Sequence, residues 1–282
     1  MQSERDRTGN WSAMAPHRRQ VGPPLRPVAE DLGFCWEAVE EWARHRGAPR
    51  VLILGVTPEL YRLPWPKGTD VLAVDRTQAM IDSEWLGPRQ AVQCADWLTL
   101  SLPNASRDIA LCDGGLHLIA YPEDQQRLVC ILRNLLADEG LCILRLFVPP
   151  AQRESPETVL GDLLDGKVTS LNILKLRLGM SLLESASAGV ELGAIWRRFH
   201  KAVPDLEALA SRIGWTPEHA RAIEAYRGSK ARYCFASVGQ VSEMFCGAPG
   251  GFKVRSVKTP SYELGEQCPT LVLQRCRRRG GA

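Results

Sequence analysis

The chain has 282 residues, 45% of them hydrophobic and 24% charged, which is ordinary globular material, long enough for one large or two small domains. Thirty-five basic against 32 acidic residues leave a formal charge of +3, too balanced for a nucleic-acid or membrane footprint spread over the whole molecule. No apolar run reaches the ~18 residues of a membrane span, and the first stretch, MQSERDRTGNWSAMAPHRRQ, lacks a signal-peptide core, so a cytoplasmic protein is expected.

Residues 1–27 are polar and punctuated by proline, and GPPLRP cannot be a regular helix because each proline restricts its predecessor. An irregular arm is expected there. Its Trp11 and Arg26 are either packing and solvent residues or the part of an arm that folds over a ligand, with Arg26 offering a planar fork to a carboxylate. Over 28–46 the apolar positions Leu32, Cys35, Trp36, Val39 and Trp42 recur at threes and fours, the stripe of an amphipathic helix that Gly47 can cap.

Next come two buried strands, 51–54 and 71–74, flanking a turn that opens at Gly55. A short helix after Asp75 leads to a third strand at 91–94, and SRDIALCDGGLHLI supplies a fourth at 109–112. Helix 124–137, stopped by Gly140, precedes a fifth strand at 141–148. Strand and helix alternate, which predicts a parallel α/β sheet with right-handed crossovers.

The pattern changes at Pro149 and Pro150: 149–236 shows helical periodicity at 159–164, 171–183, 190–203, 206–213 and 218–226, with almost no strand. A helix at 237–245 and two extended runs, 251–260 and 269–276, then return to the sheet as an antiparallel pair. Residues 277–282 are expected to form a basic tail, and the cluster Arg275, Arg277, Arg278 and Arg279 is either solvated, the reading preferred here, or a binding patch. Nine cysteines are scattered with no Cys-x-x-Cys pair and no His/Cys set at zinc spacing, so reduced thiols and no metal site are expected.

Parallel sheets bind ligands at the C-terminal edge of their strands, and three carboxylates sit there: Asp75, Asp96 and Asp113. Gly55 is either a plain strand-to-helix turn or a point where the backbone approaches a ligand, and Asp75, twenty positions on, is either a helix cap or an acceptor for two ribose hydroxyls. Asp96 can accept from an exocyclic amine of adenine, and Trp97 can wall the ring.

VLILGVTPEL, AVDRTQAMI, ADW and DIALCDGGLHLI, with GFKVRSVKTP and PTLVLQRC at the end, together resemble the class I S-adenosylmethionine-dependent methyltransferases over 28–148 and 237–276. The resemblance implies a Rossmann-like, mostly parallel seven-stranded sheet with an antiparallel last strand. Residues 28–148 and 237–276 would form a cofactor-binding α/β core, and 149–236 a helical substrate or lid insertion between strands five and six. It also implies transfer of a methyl group from S-adenosyl-L-methionine to a small-molecule acceptor, leaving S-adenosyl-L-homocysteine. The first motif departs from the family in keeping only Gly55, followed by Val56, Thr57, Pro58 and Glu59.

On this reading Gly55, Thr57, Glu59, Asp75, Arg76, Asp96, Trp97, Asp113 and Gly114 serve the cofactor, with Thr57 or Glu59 facing its methionine part. His117 and Tyr226 are the candidates for catalysis; His117, like His200, is a base or a structural hydrogen-bonding group. Trp11, Arg26, Arg145, Arg227 and Tyr233 are the candidates for the substrate. Arg145, a charge inside a strand, anchors an acidic substrate or pairs with a structural carboxylate. Two other classes fit the same residues: a nicotinamide-dependent oxidoreductase, weakened by the missing Gly-x-Gly-x-x-Gly, and a module that binds cofactor or partner without catalysis.

Overall fold

The computed structural model describes residues 21–277. Helix α1 (Ala29–Arg46) leads into strand β1 (Arg50–Leu54), and a four-residue helix α2 (Pro58–Tyr61) separates it from β2 (Asp70–Asp75). Then follow α3 (Gln78–Glu84), β3 (Val92–Cys94), β4 (Arg107–Asp113), α4 (Glu123–Leu135) and β5 (Leu136–Arg145). Side chains along β1 show why this part is a three-layer sandwich. Val51 and Ile53 point to one cluster with Cys35, Val39 and Trp42 of α1, while Leu52 and Leu54 point to the other with Leu128 and Leu132 of α4.

After β5 the chain leaves the sheet for α5 (Pro156–Leu164), α6 (Leu171–Ser181), β6 (Val190–Glu191), α7 (Leu192–Ala202), α8 (Leu206–Ile213), α9 (Pro217–Arg221) and β7 (Arg232–Tyr233). This is the expected helical insertion, with its own apolar cluster running from Leu163 and Phe199 to Phe147 at the end of β5. It contains one element the periodicity does not announce. β6 and β7 pair antiparallel, Val190 with Tyr233, as a ribbon of two residues a side, too short to show a period of two.

Helix α10 (Val238–Cys246), β8 (Phe252–Lys258) and β9 (Thr270–Arg275) complete the molecule. The sheet has the order β3-β2-β1-β4-β5-β9-β8, with β9 antiparallel to both β5 and β8. The last strand in sequence is therefore interior and β8 is the edge. Burial follows: every residue of β9 is buried, whereas Val254 and Val257 of β8 are exposed at 41% and 46%.

Two local expectations need correcting. Strand β5 starts at Leu136, which pairs with Arg107, and the register then shifts so that Leu141 pairs with Ile109. Gly140 is thus not a helix stop; a Cβ there would come within 2.7 Å of the Asp108 carbonyl oxygen, so glycine lets the irregular strand lie against β4. Arg275 does not belong to a solvated basic cluster either. Its buried guanidinium donates to the Leu136 carbonyl at 2.7 Å and to Asp138 at 2.8 Å, so it staples β9 to the start of β5. Arg278 and Arg279 lie outside the described residues.

Candidate active site

The order of the sheet places the C-terminal ends of β1, β2, β3 and β4 side by side. Gly55 follows β1 with φ 102° and donates its N–H to the Val74 carbonyl at 2.8 Å, a backbone conformation that favours glycine. Three residues later Pro58 occupies the first turn of α2, where a missing N–H costs nothing. Proline at the helix start thus shapes the turn that further glycines would shape in a glycine-rich loop. Pro58 is buried and Glu59 turns away, so the space above Gly55 stays open.

At the end of β2 the Asp75 carboxylate accepts the Thr77 N–H at 2.8 Å, and at the end of β3 the Asp96 carboxylate accepts the Leu98 N–H at 2.8 Å. Trp97 donates its Nε1–H to the Val74 carbonyl at 2.7 Å, which locks the indole across the sheet edge. A Cβ on Gly115 would lie 2.7 Å from both Cys112 Sγ and the outer edge of that indole. Gly115→Ala is therefore expected to cost about 1–3 kcal/mol of stability by overpacking, read as a lower urea midpoint with an unchanged slope.

These residues line one cleft of about 1060 Å³, part of it open to solvent. Gly55, Thr57, Asp75, Arg76, Asp96, Trp97, Asp113 and Gly114 line it, as do His117 and Tyr233. The remaining candidates lie elsewhere. Arg26 and Glu59 meet in an ion pair at 3.1 Å, and Arg26 also bonds Glu84 at 2.7 Å, so the arm is tied to α2 and α3 rather than presented to a ligand. The Arg227 guanidinium lies 5.2 Å over the Trp196 ring, and His200 bonds Glu224 at 2.7 Å, both within the insertion. Tyr226 is wholly buried behind the cleft and reaches it only through a 2.7 Å hydroxyl contact with Tyr233. Trp11 lies outside the described residues.

Arg145 sits beneath the cleft floor. Its Nε donates to the Asp113 carboxylate, and Nη1 donates to the Pro24 carbonyl at 2.7 Å and to the Tyr262 hydroxyl at 3.4 Å. Asp31 of α1 lies 3.9 Å away, and the guanidinium covers the Phe147 ring at 5.1 Å. Of the two readings the residue type leaves open, this is the pairing with a structural carboxylate. Burial raises the Asp31 carboxyl above its ordinary range, opposed by Arg145, by the Val28 N–H and by the Tyr262 hydroxyl.

His117 stands on a single 3₁₀ turn, Leu116–Leu118, just past β4. Its ring is edge-on to Tyr233 and Phe147, with centroids 4.5 Å and 5.1 Å away, and stacks on Phe235 at 5.5 Å. Burial pushes its pKa down to about 3, so the imidazole is neutral. Several lining residues carry no signal as ligand contacts in the sequence. Phe147, Leu118 and Ile119 read there simply as apolar positions at a strand end or in a loop, and Val21 and Leu25 as parts of a proline-rich arm.

The order of strands and the antiparallel interior strand define the class I S-adenosylmethionine-dependent methyltransferase fold. Solved structures share this fold at low identity. A Rhodobacter sphaeroides protein named as a Zn-dependent alcohol dehydrogenase is 13% identical, with a TM-score of 0.58 over 98% of this chain and 99% of that one. The CcbJ methyltransferase of Streptomyces caelestis is 14% identical, with a TM-score of 0.53 over 96% and 99%. The 1,6-didemethyltoxoflavin-N1-methyltransferase of Burkholderia thailandensis, solved with bound 1,6-didemethyltoxoflavin and S-adenosylhomocysteine, is 12% identical, with a TM-score of 0.52 over 96% and 88%. At these identities the likeness is one of fold. No protein-family model and no curated protein matches the chain. Among the described residues no group of three or more His, Cys, Asp or Glu side chains is placed to hold a metal, and no helix is long and apolar enough to cross a membrane.

Proposed function

We propose that the protein transfers a methyl group from S-adenosyl-L-methionine to a small-molecule acceptor. The observation that carries this reading is the convergence of Gly55, Asp75, Asp96 and Trp97 on one cleft at the C-terminal edge of the parallel strands. The residue types suit an adenosine. Asp75 is assigned to the ribose hydroxyls, Asp96 to the exocyclic amine, and the indole of Trp97 to the ring. Thr57 and Arg76 line the same cleft and are assigned to the remaining polar groups of the cofactor.

When bound, the cofactor supplies an already activated methyl group: the acceptor forms a bond to the methyl carbon as the carbon–sulfur bond breaks, leaving S-adenosyl-L-homocysteine. The chain's own task is then to position and desolvate. Phe147, Tyr233 and His117 form an aromatic end to the cleft, and aromatic faces favour a sulfonium beside them. His117 is assigned a hydrogen-bonding role rather than that of a base at rest, because its proton affinity is too low.

Its titration follows. Neutral burial of His117 favours the folded state above the ordinary value of 6.5, and that contribution is lost as pH falls towards about 3. Imidazole NMR signals of His117 should therefore show no protonation between about pH 5 and 8.

The direct test is to incubate the protein with S-adenosylmethionine and a small-metabolite extract, and to follow by mass spectrometry both S-adenosylhomocysteine and a product heavier by one methyl group. Formation of both supports the proposal. Tight S-adenosylhomocysteine binding with no methylated product would favour a cofactor-binding module instead. Nine free thiols, five of them buried, suit a reducing compartment, and we place the reaction in the cytoplasm.

A further inference from the structure

The turn at 21–26 forms one wall of the cleft and is fastened to two separate parts of the molecule. Val21 and Leu25 line the same cleft as Gly55 and Asp75. On the side of the insertion and β5, Asn172 of α6 donates to the Gly22 carbonyl at 3.3 Å and Arg145 donates to the Pro24 carbonyl at 2.7 Å. On the other side Arg26 holds its Nε 3.1 Å from the Glu59 carboxylate of α2 and donates from Nη2 to Glu84 of α3 at 2.7 Å. Helix α2 starts directly after Thr57 and α3 two residues after Arg76, and both of these residues line the cleft. Arg26 therefore ties the wall made by Val21 and Leu25 to the two helices that leave the cofactor strands.

The two fastenings differ in kind. Asn172 and Arg145 are buried, with 3% and 2% of their surface exposed, so water hardly competes for their bonds. The Arg26 and Glu59 side chains are exposed by 23% and 27%, where water and salt weaken an ion pair. Among the described residues the only backbone–backbone hydrogen bond of the turn is its own, from the Arg26 N–H to the Gly22 carbonyl at 3.1 Å, so no ladder of a sheet or helix holds it to the fold. A segment held by few contacts, the outermost of them ionic, opens locally at a fraction of the cost of unfolding. We propose that this turn is a gate on the cleft and that Arg26 is its latch, releasing Glu59 and Glu84 when S-adenosyl-L-methionine enters and when S-adenosyl-L-homocysteine leaves. The gate rests on the methyl-transfer reading and adds to it the part of the chain that controls exchange of the cofactor.

The test measures how fast radiolabelled S-adenosylhomocysteine binds to the full chain and how fast it leaves. In Arg26→Gln both rates should rise about tenfold while the dissociation constant moves by less than about threefold, because an unlatched gate eases passage in both directions. A side chain that touches the ligand behaves differently, since its loss acts mainly on dissociation. The double variant Glu59→Gln/Glu84→Gln should show the same rise, and adding Arg26→Gln to it should raise the rates no further, because both remove one latch. The proposal is overturned if a folded Arg26→Gln keeps both native rates, if only dissociation quickens and affinity falls with it, or if the effects of the two variants multiply. Should Arg26→Gln not fold, Glu59→Gln decides alone: a rise of about threefold or more in both rates supports the latch, and unchanged rates refute it. Failure of the native chain to bind S-adenosylhomocysteine would remove the methyl-transfer reading and the gate together, and is seen before any variant is compared.

Discussion

Asp75→Asn is expected to weaken S-adenosylhomocysteine binding by roughly 30- to 100-fold, the equivalent of about 2 to 3 kcal/mol. An ionised carboxylate at the end of β2 can accept from both ribose hydroxyls. The amide keeps one acceptor oxygen and sets an N–H donor against a hydroxyl that must also donate. Asparagine can still accept the Thr77 N–H that Asp75 accepts at 2.8 Å, so the turn into α3 is retained. The variant should therefore unfold at the same urea concentration as the parent while its calorimetric affinity drops. A change of less than about threefold would show that the ribose lies elsewhere.

Arg145→Met is expected to destabilise the fold by about 3–5 kcal/mol, the usual consequence of removing one partner from a buried ion cluster. Methionine fills the volume but leaves the Asp113 and Asp31 carboxylates buried without the guanidinium, with side chains exposed by only 7% and 1%. It also releases the Pro24 carbonyl and so the turn that carries Leu25 to the cleft. The pH dependence identifies the cause. The raised Asp31 carboxyl favours the folded state when protonated, and that contribution is lost as pH rises through its elevated value. Without Arg145, one of the groups opposing the effect of burial is gone and the value rises further. The stability deficit should accordingly be smaller at about pH 5 than at pH 7 in urea titrations. A deficit independent of pH would point to lost packing instead.

The α/β alternation is legible in the sequence because strands covered on both faces must be apolar throughout, as LIL in β1 and IALC in β4 are. The strand-end carboxylates are legible for a related reason. A polar residue closing such a run lies at the sheet edge, and Asp75, Asp96 and Asp113 all border the cleft. What is hidden depends on distant partners. Arg145 reads as an anomaly within a strand until folding brings Asp113, Asp31, Pro24 and Tyr262 around it. Arg26 and Glu59 each look available for a ligand until they are seen to meet each other. Tyr226 looks like a pocket residue by its place near the return to the sheet, yet it lies one layer too deep. The interior position of β9 is not marked by its neighbours in sequence, since an antiparallel pair can join a sheet by either strand.

The central claim is that neighbouring strand ends cradle one adenosine carrying a methionine side chain. Calorimetric titration of the full chain with S-adenosylhomocysteine, and separately with NAD, addresses it most directly. Saturable binding of one S-adenosylhomocysteine per chain is expected, with no heat from NAD beyond dilution. Saturable binding of NAD, or a flat titration with S-adenosylhomocysteine, would contradict it.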